Sequence, residues 1–87
     1  MNAAKTNQTL LEMIQRWDPF GYGVEAYETE AVDVIQAVHE CHDAYTLAKK
    51  IQSIYEFSFE QLIPFSNCMK LAEALLVVKH GAECSLS

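Results

Sequence analysis

Between Arg16 and Lys49 the chain has no lysine or arginine at all, whereas Asp18, Glu25, Glu28, Glu30, Asp33, Glu40 and Asp43 all fall in that gap. Twelve acidic against six basic residues leave a net charge of −6. Such a surface repels phosphate and offers no counterion release, which argues against direct binding to nucleic acid and to anionic membranes. Glycine and proline are also scarce, at three and two in 87 residues, and no low-complexity stretch or internal repeat is present. The three cysteines, Cys41, Cys68 and Cys84, are an odd number without a C-x-x-C pair, and M-N-A-A-K-T-N-Q-T-L-L at the start has no apolar signal core. A reduced, cytoplasmic setting is expected.

Long hydrophobic runs are missing too. The most apolar patch, L-A-E-A-L-L-V-V from Leu71 to Val78, is interrupted by Glu73 and falls far short of the roughly 20 residues that span a bilayer. No stretch alternates with period two for long enough to compete as a strand; S-I-Y-E-F-S-F comes nearest, and its helical reading continues the pattern before it. A Gly-rich phosphate loop and a G-x-S-x-G elbow are absent as well, so no catalytic chemistry and no cofactor is nominated.

Helical periodicity remains. Leu10, Leu11, Ile14 and Trp17 form a first amphipathic stripe behind the capping candidates Thr6 and Asn7, and it stops near Trp17 because Asp18 precedes Pro19. A second stripe, Tyr27, Ala31, Val34, Ile35, Val38 and Cys41, carries Glu28 and Glu30 in its first turn and His42 in its last. Ala44, Leu47, Ala48, Ile51, Ile54 and Tyr55 make a third, capped by Asp43 or Thr46. Ser58 with Gln61 reads as a capping box heading a single turn that Pro64 closes. Ser66 then caps a last helix with Cys68, Leu71, Ala72, Leu75, Leu76 and Val78 inside, Lys79 and His80 in its final turn and Gly81 as its C-terminal cap.

These stripes predict an all-α fold: a compact four-helix, bundle-like array with an aromatic Asp-Pro corner between helices 1 and 2 and a short helical turn before the last helix. Residues 1–87 make one domain, with 1–6 and 82–87 expected to fray.

Two constellations invite a chemical reading. H-E-C-H-D, His39 to Asp43, gathers imidazoles, a thiol and carboxylates, but its histidines are three apart, where the zinc-protease pattern H-E-x-x-H needs four. His39 and His42 are therefore weak metal candidates that need further ligands from afar. The corner W-D-P-F-G-Y-G, Trp17 to Gly23, offers Asp18, Tyr22 and Tyr27 as a recognition set. Its plainer reading is a turn capped by Asp18, with positive φ at Gly21 and Gly23 and aromatics lying over the bundle's end, Trp17 largely buried among them.

That corner, followed by Y-E-T-E at Tyr27 to Glu30 and I-Q-S-I-Y-E-F-S-F at Ile51 to Phe59, resembles the YugE-like family of small bacterial proteins, a domain family of unknown function. The resemblance runs from Leu10 to Val78. It implies an all-helical cytoplasmic protein and brings no catalytic residue with it. The W-D-P corner and acidic surface are also similar, more faintly, to small immunity-type proteins that bind a basic toxin.

The functional expectation is a non-enzymatic protein-interaction module docking a protein partner or its own copy. The alternative is a small-molecule or metal-binding protein using the aromatic corner or H-E-C-H-D. The second helix carries apolar residues over too wide an arc for one stripe, which nominates Val32 as a contact with Asp33, Glu40 and Asp43 on its rim. Like charges on that rim would make a homodimer tighten with salt and a complex with a basic partner weaken.

Overall fold

A computed structural model describes residues 3–84. Among these, four α-helices follow in order: α1 (Ala3–Trp17), α2 (Glu28–Glu40), α3 (Ala44–Phe59) and α4 (Phe65–Cys84), with a short 3-10 helix, Val24–Tyr27, leading into α2. No strand occurs among the described residues. The all-α bundle expected from the four stripes is the observed architecture.

One core joins all four helices. Leu10 and Ile14 from α1, Ala31, Val34 and Val38 from α2, Leu47, Ala48 and Ile51 from α3, and Cys68, Ala72 and Leu75 from α4 are all fully enclosed. Each large apolar side chain buried in this way contributes roughly 1.5 to 3 kcal/mol. The most extensive contact is between α3 and α4, and α1 lies against both α2 and α4.

The helix ends differ from the sequence expectation in instructive ways. Helix α1 is already regular at Ala3, so Thr6 and Asn7 sit inside it rather than capping it. Thr6 is buried, and the Asn7 side chain is spent on His39. At the other end α4 runs through Gly81 to Cys84, so Gly81 is no cap. The backbone of 3–6 and 82–84 is helical; residues 1, 2 and 85–87, also expected to fray, lie outside the described residues.

The capping box at Ser58 and the single turn after it do not form. Tyr55 and Phe59, four residues apart, extend the buried stripe of α3 by another turn, and their packing outweighs the local cap signal. Glu60, with φ of 56°, ends the helix in the left-handed region, and its N–H donates to the Glu56 carbonyl at 2.8 Å. Residues 61–64 are irregular. Nor is Ser66 the cap of α4: the helix starts at Phe65, and the Pro64 carbonyl accepts from Asn67 N–H at 3.0 Å and Cys68 N–H at 3.3 Å. Asp43 does cap α3 as expected, its carboxylate accepting from Thr46 N–H at 2.8 Å.

The aromatic corner and the α2–α3 face

The Asp-Pro corner is built around two side chains. Helix α1 ends where Asp18 turns to a φ of 37°, a region that aspartate visits more readily than most residues. Its carboxylate then accepts from Tyr22 N–H at 2.9 Å and Gly23 N–H at 3.3 Å. The Tyr27 hydroxyl donates to the same carboxylate and receives Phe20 N–H at 3.3 Å and Tyr22 N–H at 3.4 Å. Gly21 and Gly23, at φ of 72° and 96°, take the backbone positions that a side chain would strain.

Rings close the corner from the other side. Tyr27 stacks on Tyr55 at 5.8 Å and meets Phe59 edge-on at 5.5 Å, while Phe20 contacts Phe59 at 5.2 Å. Tyr27 and Tyr55 are the fully buried aromatics here, and Trp17 packs against the core edge-on to Tyr55 at 5.4 Å. Trp17 is thus largely buried, as expected, without being fully enclosed; the 3-10 turn delivers the smaller Tyr27 ring to the enclosed position. Tyr22 remains exposed, and its hydroxyl accepts from Gln61 Nε2 at 2.6 Å, tying the corner to the α3–α4 loop.

These contacts set the titration behaviour. The hydrogen bond from Tyr27, followed by the amides of Gly23 and Tyr22, holds Asp18 below its ordinary value near 3.8. The Thr46 amide does the same for Asp43. Burial first, then the Asp18 hydrogen bond, raises Tyr27; burial raises Tyr55 further and pushes the Cys68 thiol up to about 11. The depressed carboxylates stabilise the fold fully above pH of about 4, and that contribution is lost as pH falls through their folded values. The raised groups are neutral in the fold, and stability falls as pH rises above their ordinary values and through the folded ones, because burial penalises their ionised forms. The melting temperature should therefore fall below pH of about 4, and in Asp18→Asn, followed by circular dichroism, the acid limb should flatten. An unchanged acid limb would mean that Asp18 takes no part in it.

His39 and His42 do not share a helix. Helix α2 stops at Glu40, and Cys41 is extended, with φ of −98° and ψ of 147°. Asp43 is drawn off to cap α3 and leaves His42 in the turn, while His39 Nε2 lies 2.7 Å from Asn7 Oδ1. Among the described residues no three His, Cys, Asp or Glu side chains are grouped closely enough to hold a metal ion.

The remaining candidates lie on a different face. A groove of about 440 Å³ runs between α2 and α3, with Asp33, Gln36 and Glu40 along one rim, Lys49 and Lys50 along the other, and Ala37 and Ile54 also lining it. Val32, one turn before Gln36, is 63 % exposed, and Phe57, one turn after Ser53 on the rim of α3, is 89 % exposed. Ala37, which lies outside the stripe of Tyr27, Ala31, Val34, Ile35, Val38 and Cys41, is buried within the chain.

Sequence reasoning missed Lys49, Lys50 and Phe57 as parts of this face. It also missed Lys79. That side chain is buried, and its Nζ donates to the carbonyls of Val38 at 2.9 Å, Cys41 at 3.1 Å and His39 at 3.4 Å, closing the C-terminal end of α2. The signal was present, because Lys79 falls on the stripe of Cys68, Ala72 and Leu75.

What these elements define is a small all-helical protein whose polar corner is internally satisfied and whose α2–α3 face is open. Residues 9–85 match the family described as Domain of unknown function (DUF1871), and the chain belongs to this family. It is 46 % identical, over 98 % of its own length and 99 % of the relative's, to the uncharacterised protein YugE of Bacillus subtilis (strain 168). Its fold is similar to a crystal structure of a protein from Bacillus stearothermophilus, with a TM-score of 0.88 and 56 % identity, covering 90 % of this chain and 96 % of that one. No helix among the described residues is long and apolar enough to cross a membrane.

Proposed function

We propose that this chain is a non-enzymatic protein-interaction module of the cytoplasm that docks through its α2–α3 face. The observation that carries this reading is Phe57. A phenylalanine 89 % exposed one helical turn beyond Ser53, the residue that lines the end of the groove, is costly to leave in water and is the kind of residue that anchors a protein interface. The free, buried thiols of Cys41 and Cys68 agree with a reducing compartment. The small-molecule alternative has less to stand on, since Asp18 and Tyr27 spend their polar groups on each other and on loop amides. The test is capture from a Bacillus subtilis lysate on immobilised wild type and on Phe57→Ser, which should fold normally because the ring packs so little. A protein retained by the first and lost on the second is expected. Identical retained sets, from wild type that is itself monomeric, would remove this face as the docking surface.

A further inference from the structure

The identity of the occupant follows from how charge is divided across the face, an argument that rests on the docking reading above. The sequence places Asp33 and Glu40 on a purely acidic helix edge, which would repel its own copy. Folding changes that, because α3 returns alongside α2 after the three residues 41–43 and sets Lys49 and Lys50 on the opposite rim of the same groove. A partner of either single sign is drawn to one rim and repelled by the other. A surface with both signs on parallel rims is complementary to itself under a two-fold rotation.

We propose that the α2–α3 face binds a second copy of this chain about a two-fold axis lying along the groove. The rotation lays α2 of one copy over α3 of the other, so Asp33 and Glu40 meet the partner's Lys50 and the partner's Lys49. The apolar residues obey the same operator. In the antiparallel pair, Glu40 and Thr46 lie at the end of the groove near the connecting turn, Asp33 and Ser53 farther from it. Val32 and Phe57 therefore lie at the same far end, one on each helix, and the rotation brings Phe57 against the partner's Val32. Two exposed anchors are covered at once, inside a rim of paired charges. The salt dependence expected from the sequence is reversed: opposite charges meet, so salt weakens the dimer.

The experiment is sedimentation of the full chain over a range of concentrations at low and high salt, with Phe57→Ser, Asp33→Lys, Lys50→Glu and the double charge swap. Circular dichroism verifies that each variant is folded. The wild type should dimerise, with a dissociation constant that rises with salt and rises about tenfold or more in Phe57→Ser. Either charge reversal alone should weaken the dimer, and the double swap should restore it. A monomer at every concentration overturns the proposal, as does a dimer indifferent to Phe57→Ser and to the charge variants. Monomeric protein that still captures a lysate protein through Phe57 would overturn self-association alone. Monomeric protein with no Phe57-dependent capture would overturn the docking reading with it.

Discussion

Tyr27→Ala is expected to destabilise the protein by about 3 to 5 kcal/mol, the range for removing a fully buried aromatic ring. The ring is enclosed between Tyr55 and Phe59, so its loss opens a cavity that the short loop around it cannot fill. The hydroxyl adds a separable part. Tyr27→Phe keeps the ring but deprives Asp18 of its donor and the amides of Phe20 and Tyr22 of their shared acceptor, which should cost about 1 to 2 kcal/mol. Tyr55→Phe is the contrast, because the Tyr55 hydroxyl is buried without a hydrogen-bond partner among the described residues. Removing it relieves a desolvated polar group, so the variant should be as stable as the wild type or more so. Urea titrations of the three variants check this ordering. A Tyr27→Ala cost below about 1 kcal/mol would show that the corner does not hold the bundle together.

Lys79→Met should cost about 2 to 3 kcal/mol even though methionine matches the length of the lysine stem and suits a buried site. Helix α2 ends with carbonyls that have no partner within the helix, and the ammonium satisfies those of Val38, His39 and Cys41 together. A cation at this end also opposes the negative pole of the helix dipole. Methionine fills the volume and leaves the carbonyls without a donor. Amide exchange near the end of α2 should accelerate along with the fall in stability. Wild-type stability in Lys79→Met, with unchanged exchange in α2, would show that water satisfies these carbonyls equally well.

Apolar spacing made all four helices legible, and the Asp43 cap was legible from its position before a stripe. The failures share a physical cause. Ser58 and Gln61 carry a sound local cap signal, yet it contributes less than burying Phe59 against Phe20 and Tyr27, a contact made by residues far apart in sequence. Gly81 looked like a terminus because glycine is a poor helix former, but the stripe on Lys79 keeps α4 seated beyond it. On the proposed face, Val32 stood out because it is apolar outside the stripe of its own helix, and Asp33 and Glu40 because they are its charged neighbours. Lys49, Lys50 and Phe57 could not, since spacing tells which way a residue faces on its helix and not which helix lies beside it.

The seating of Lys79 bears on the order in which this protein is made. The residue that finishes the second helix lies 38 to 41 positions farther along the chain, on the last helix. While the ribosome is still adding residues, α2 has its apolar stripe but no donor for its terminal carbonyls, and α3 lacks α4, its principal packing partner. The contacts that finish α2 and cover α3 therefore form only once α4 has been synthesised, late in the making of the chain.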